Sequence, residues 1–357
     1  MANMSYKCLT CGAELFWKAD RNAFVCDYCE DSFTLEQLKE AGQTGEVDET
    51  KVQKAEELME GEADVSTDGT VGSDLVKYTC SHCGAEIITD RSTAATICVY
   101  CGNAVIMGEQ IINDFAPDYV IPFSVEKKKV MEAFKEFSKK PLTPKAFDCE
   151  KVVDKLQGVY IPFWLYSGNC DGDVDAECYN EQVSRKGDYK IIKRDFYSVK
   201  RHGCADFKFV PVDASSKTED EAMDSIEPYD FKDFKPFNPA YLSGFLAERY
   251  DEDQEKCFPR AQERIENTTL DLIKETCNYD NIEVRKYDKK IKLEETKYAM
   301  MPAWLLYTTY KDKKYFFAMN GQTGKFVGSL PIDKGKLVLF SILGGILGSV
   351  IGAFIGG

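Results

Sequence analysis

The sequence predicts an α+β protein: two small N-terminal zinc ribbons, a mixed domain of helices and strands that is a candidate for two related halves, and one C-terminal transmembrane helix. Three observations point there. Cys-x-x-Cys pairs occur four times before residue 102, helical and strand-like apolar patterns mix between residues 110 and 333, and the stretch Leu337 to Gly357 carries no charge. With 357 residues, 44% of them apolar and 12% aromatic, the chain is long enough for two or three units with real cores.

The first ribbon is expected over 5–35, where Cys8-Leu-Thr-Cys11-Gly12 is followed by Cys26-Asp-Tyr28-Cys29. The second, over 75–108, repeats the arrangement as Cys80-Ser-His82-Cys83-Gly84 and Cys98-Val-Tyr100-Cys101, with the same gap between its pairs. Four thiolates at this spacing can close a tetrahedron around one Zn²⁺, and a glycine just past the first pair suits the tight turn of a knuckle. Cys8, Cys11, Cys26 and Cys29 are expected to hold one structural ion and Cys80, Cys83, Cys98 and Cys101 a second, with no coordination position left for a substrate. A redox dithiol of the thioredoxin kind carries its Cys-x-x-Cys alone, so the matched fours argue against it; an iron site, or His82 as a competing ligand, fits the pattern less well than four cysteines.

Between the ribbons, 36–74 reads as an acidic linker: Glu46 to Asp74 holds ten acidic residues and two lysines, with a candidate short helix over Lys51 to Met59. The whole chain is acidic, with 45 Lys+Arg against 60 Asp+Glu and a net charge of −15. Ser5 to Leu35 has three basic and five acidic residues, and Leu75 to Gly108 has two of each, so neither ribbon offers the cationic track that phosphates require. Protein partners are therefore expected. The alternative is a regulator that binds nucleic acid through its ribbons by aromatic stacking on Phe16, Trp17 or Tyr28, without helicase activity.

The α+β domain is expected over 110–333. Val130, Phe134 and Phe137 recur at helical spacing, and Ala261 to Cys277 predicts a second helix. Strands are expected around Val159 to Tyr166, Tyr189 to Tyr197 and Phe207 to Val212, and a hairpin across Asn320-Gly321 and Thr323-Gly324. Tyr160-Ile-Pro162-Phe-Trp164-Leu-Tyr166 echoes Met301-Pro302-Ala-Trp304-Leu-Leu-Tyr307, each proline being expected to open a strand and each tryptophan to bury a large surface.

Catalytic constellations are scarce, and no enzyme activity is expected. The chain has two histidines, His82 and His202, and His202 with Cys204 lacks a third partner for a thiol nucleophile. Cys149, Cys170, Cys178, Cys257 and Cys277 show no ligand spacing and are expected to be core residues. Asp171, Asp173, Asp175 and Glu177 superficially resemble a calcium loop, but the positions that need Gly and Glu hold Ala176 and Gln182; alternation predicts a wet strand face with Val174, Ala176 and Cys178 turned inward. Gly321-Gln-Thr-Gly324-Lys325 lacks the remaining residues of a phosphate-binding loop.

The uncharged stretch 337–357 is long enough, as a helix, for one hydrocarbon core. Gly344, Gly348, Gly352 and Gly356 would line one of its faces and favour self-association or a partner helix. Lys325, Lys334 and Lys336 precede it, which predicts a single-pass protein of the cell membrane with its N-terminal domains in the cytoplasm; the absence of a leader and the reduced cysteines agree.

The paired ribbons, the Tyr160 to Tyr166 and Met301 to Tyr307 segments, Pro239-Ala-Tyr241-Leu-Ser-Gly244 and the apolar tail together resemble bacterial transcription-factor-IIB-type zinc-ribbon proteins, sometimes labelled primosomal helicase-like. The resemblance covers most of the chain and implies a membrane-bound adaptor in an envelope-stress complex of the Bacillus type, with a phage-shock-type protein as partner.

Overall fold

A computed structural model describes residues 3–4, 6–43, 75–79, 86–90, 93–97, 104–107, 116–144, 156–311 and 313–342. The chain divides into two discontinuous units, one of Met1–Ile161, Lys217–Arg249 and Met300–Gly357, the other of Pro162–Ser216 and Tyr250–Ala299.

The first unit opens with β1 (Asn3–Met4) and the ribbon strands β2 (Leu15–Lys18), β3 (Ala23–Cys26) and β4 (Ser32–Phe33), an antiparallel sheet in which Trp17 pairs with Phe24 and Phe24 with Phe33. Helix α1 (Leu35–Glu40) follows, begun by a capping box in which the Thr34 hydroxyl accepts from Gln37 N–H and the Gln37 side chain accepts from Thr34 N–H. Two hairpins come next: β5 (Leu75–Thr79) with β6 (Glu86–Asp90), and β7 (Thr93–Ile97) with β8 (Ala104–Met107).

β9 (Tyr119–Val120) and α2 (Lys127–Ser138) then lead to β10 (Gln157–Lys186), which ends in the second unit. The expected spacing of Val130, Phe134 and Phe137 is realised in α2, where Phe134 and Phe137 meet Phe317 and Phe326. An aromatic core forms around Phe123, stacked on Phe245 at 4.0 Å and edge-on to Tyr160 and Trp304. The unit's later strands are β12 (Lys235–Pro236), paired with β9, then β13 (Leu246–Glu248), the second half of β14 (Asn281–Tyr310), β15 (Lys313–Asn320) and β16 (Phe326–Gly328). The expected hairpin stands at β15–β16, its turn held by Asn320, whose Oδ1 accepts from Gln322 and Thr323 N–H.

The second unit is a sheet of β10, β11 (Tyr189–Asp213) and the first half of β14, covered on one face by α4 (Gln254–Glu275); a short helix, α3 (Asp220–Ile226), belongs to the first unit. Val174, Ala176, Cys178 and Val199 pack against Ile273 of α4, so the predicted inward face is observed. On the opposite face Asp175 and Glu177 pair with the cations Lys200 and Arg285, and Asp173 lies 3.1 Å from the His202 ring, so each acid has a cross-strand partner.

Two expectations are corrected. The protein is predominantly β-sheet with few helices, rather than an even α+β mixture, because β10, β11 and β14 are strands of 25 to 30 residues. The predicted transmembrane helix over 337–357 also fails: among the described residues no helix is long and apolar enough to cross a membrane. Of the predicted span, residues 337–342 are helical and 343–357 lie outside the described residues. The single-pass cell-membrane placement falls with it; Gly344, Gly348, Gly352 and Gly356 lie outside the described residues. Smaller departures concern Pro162 and Pro302, which sit inside β10 and β14 rather than opening them, and α4, which starts seven residues before Ala261.

Candidate metal centre

The four N-terminal cysteines converge. Cys8 and Cys11 bracket the loop before β2, whereas Cys26 ends β3 and Cys29 lies in the turn toward β4. The two loops are built alike. Cys8 N–H donates to Ala13 O and Gly12 N–H to Cys8 O; Cys26 N–H donates to Asp31 O and Glu30 N–H to Cys26 O, all at 2.7 to 2.9 Å. Gly12 and Glu30 occupy the same left-handed position, with φ of 76° and 63°. Glycine meets that demand freely, while Glu30 adopts it under strain.

These turns bring all four Sγ atoms within 4.8 Å of one another, with Cys8 to Cys29 at 3.4 Å and Cys11 to Cys26 at 3.5 Å. Four sulfurs placed about 2.3 Å from a common centre stand about 3.8 Å apart, so the group can hold a metal ion. Among the described residues it is the one such group of His, Cys, Asp and Glu side chains. Burial alone would raise the Cys8 thiol, but the N–H groups of Cys11 and Thr10 and the thiols of Cys29 and Cys11 outweigh it and bring it down to about 7. At Cys29 the Asp31 N–H favours the thiolate, and burial with the three neighbouring thiols pushes it upward instead. Four thiols crowded together cannot all ionise unaided, and a cation resolves that conflict.

The ribbon is fixed to the rest of its unit by directional bonds. Trp17 Nε1 donates to Phe123 O at 3.1 Å, Ser243 Oγ to Leu15 O at 2.6 Å, and Tyr6 Oη to Asn238 Oδ1 at 3.1 Å. An open groove of about 720 Å³ lies alongside, with Phe16, Trp17, Phe245 and Trp304 beside Arg21 and Lys127. Leu9 and Tyr28, each between the cysteines of its pair, project into solvent at 44% and 83% exposure. The sequence reading named Tyr28 as a stacking residue and missed Leu9; its position between paired cysteines, where the chain reverses direction, is the signal that would have found it.

The other predicted ligands Cys80, Cys83, Cys98 and Cys101, and His82 and Cys149, lie outside the described residues. In sequence, 80–85 falls between the paired strands β5 and β6, and 98–103 between β7 and β8. His202 Nδ1 lies 3.1 Å from Asp173 Oδ1 on an exposed sheet face. Cys204, also exposed, has its thiol pushed up first by a hydrogen bond to Asp171, then by burial and the Asp171 and Asp206 charges, the reverse of what a nucleophile needs. Cys170, Cys178 and Cys257 are buried as expected, and Cys277 is half-buried. The loop Gly321 to Lys325 is the β15–β16 turn and opens no helix.

No family model matches the chain, and no solved structure matches it. It is 33% identical over 314 residues to the uncharacterized protein YdjG of Bacillus subtilis (strain 168), an alignment that covers 74% of this chain and 92% of that relative.

Proposed function

This chain belongs to the family of Bacillus subtilis YdjG, and from that premise we propose that it is a non-enzymatic zinc-ribbon scaffold that binds protein partners. The observation that carries the reading is the closed set of four thiols, which leaves no protein-free coordination position at which a substrate would be activated. Zn²⁺ suits it best, since it accepts four thiolates in tetrahedral geometry and needs no redox protection. When bound, the ion neutralises thiolate charge and ties the two turns together. By the same spacing, Cys80, Cys83, Cys98 and Cys101 would hold a second ion of the same kind.

The chain's own residues do the recognising. Leu9 and Tyr28 offer apolar tips at the two turns, and the groove beside Trp17 supplies an aromatic wall with charged rims, the composition of a protein-docking surface. A phage-shock-type component of an envelope-stress complex is the first candidate partner, on the resemblance alone. Crosslinked affinity purification of the full chain and of a Leu9→Ser, Tyr28→Ser double variant tests the proposal, with zinc content measured in parallel. A small set of proteins recovered by the natural chain and lost with the variant at unchanged zinc supports it. Equal recovery by both, or nucleic acid recovered with a steep salt dependence, refutes it.

A further inference from the structure

The second unit carries a feature that the metal centre does not explain. β11 pairs with β10 along its whole length and with no other strand among the described residues, so it forms a 25-residue edge of the sheet. Every second residue of such a strand turns its N–H and C=O away from its neighbour, toward whatever can add there. Long open edges in natural proteins are ordinarily shortened, bulged or covered. The described register shift of this pair falls at Tyr166/Gly168, near the far end, and the stretch from Tyr189 to Arg201 pairs without interruption.

Composition selects the occupant. Between Tyr189 and Arg201 the edge carries Lys190, Lys193, Arg194, Lys200 and Arg201 against one acid, Asp195, in a chain of net charge −15; Lys193, Arg194 and Lys200 lie in solvent-exposed ion pairs with Asp195, Glu181 and Asp175, which an added strand's carboxylates would share. Ile191, Ile192, Phe196 and Tyr197 are exposed on the same stretch, at 44 to 59%. Lys190, Ile192, Arg194, Phe196 and Lys200 share one face by their alternation, and Ile191, Lys193 and Tyr197 share the other. An added strand would therefore meet basic and apolar side chains on both faces. A second copy of β11 would set cations against cations, and like charges directly opposite destabilise a pair. Phe196 and Tyr197 could stack bases, but the outward N–H and C=O groups of a strand edge match the main chain of a peptide and have no counterpart in a nucleic acid.

We propose that the open edge of β11 from Tyr189 to Arg201 takes up an extended, acidic segment of a protein partner, with glutamate or aspartate alternating with β-branched residues, as an additional strand of the sheet. Main-chain bonds supply affinity, and the lysine and arginine side chains select the acidic sequence. The inference rests on the scaffold reading and names the chemistry of one partner. It concerns a surface separate in sequence from the ribbon.

The test uses the full chain and a short synthetic peptide alternating glutamate with valine, followed by calorimetry and by hydrogen exchange of the β11 amides. Binding should protect alternate amides between residues 189 and 201 and weaken about tenfold or more in the triple variant Lys190→Glu, Arg194→Glu, Lys200→Glu. A peptide alternating lysine with valine should not bind the natural chain. A milder variant, Arg194→Gln with Lys200→Gln, should show an intermediate loss and guards against misfolding of the triple. Unchanged affinity in both variants, binding without protection of β11, or preference for single-stranded DNA over the acidic peptide overturns the proposal. The Leu9→Ser, Tyr28→Ser variant should bind the peptide normally, so failure here and failure of the ribbon reading are distinguishable.

Discussion

Two hairpins in this protein begin alike and end differently. In one, Pro162 accepts from Ala214 N–H and Phe163 pairs with Asp213; in the other, Pro302 accepts from Gly321 N–H and Ala303 pairs with Asn320. Trp164 Nε1 donates to Glu252 O and Trp304 Nε1 to Val125 O, each at 2.9 Å. Both polar partners are buried, Asp213 against Arg260 at 2.9 Å and Asn320 donating to Ile226 O at 3.0 Å. The match extends from residue types to pairing register. From there the second hairpin closes within the eight residues of β15, while the first runs 25 residues along β11 to a two-residue turn at Gly187-Asp188, where Gly187 has φ of 61°. The same Pro-x-Trp anchor thus serves a compact sheet in one place and a long arm with an open edge in the other.

Metal removal should sharpen that contrast most. Chelation at neutral pH is expected to melt the ribbon of residues 6–43, whose buried core is too small to stand alone, while both Pro-x-Trp hairpins keep their amide protection; the free energy at stake is on the order of 10 kcal/mol for each structural zinc. Hydrogen exchange read region by region checks this. Next in size, Trp304→Ala should cost about 3 to 5 kcal/mol, since it empties the cluster with Phe123 and Phe245, and Trp164→Ala about half as much, because its ring is only half-buried. Denaturant midpoints for the two variants would break the comparison if the order reversed.

A smaller effect follows from burial of ionisable groups in each region. Tyr6 is pushed up to about 12 by burial, and Cys257 to about 12 by burial and the Glu252 and Asp213 charges. The folded state then holds protons that the unfolded chain releases from about pH 9 upward, so stability is full below that pH and falls as pH rises toward 12, by about 2 kcal/mol for the phenol alone. Stability measured on either side of pH 9 should decline on the alkaline side. Smallest, and of opposite sign, Glu30→Gly should stabilise the ribbon by about 1 kcal/mol by relieving its left-handed backbone, whereas Gly12→Ala should destabilise it; thermal midpoints of the zinc-loaded chain report both.

The group Cys8, Cys11, Cys26 and Cys29, which could hold a metal ion, was legible because coordination fixes residue type and spacing together, and its four sulfurs come together as the spacing required. Helix α2 and the β15–β16 hairpin were legible from periodicity and from Asn320-Gly321. The extent of β-sheet was not. Along β14 from Asn281 to Lys297 few side chains are buried, so the strand is held by backbone pairing and the period-two pattern of apolar residues is faint. Helix α4 starts early because Asp253 caps it through a bond from Lys256 N–H, and Pro259 is tolerated inside it. The uncharged C-terminal run shows the converse: composition set the expectation of a spanning helix, and among the described residues no helix is long and apolar enough to cross a membrane. The open edge of β11 has no sequence signature at all, since an edge is defined by the missing neighbour.

The central claim is that the ribbon's ion is structural, held by sulfur on all sides. X-ray absorption of the zinc-reconstituted full chain tests it most directly. The account predicts four sulfur ligands at about 2.3 Å per zinc and no lighter scatterer in the first coordination sphere. A mixed sphere of three sulfurs with an oxygen would contradict it, because an open, water-bearing position is the mark of a catalytic site.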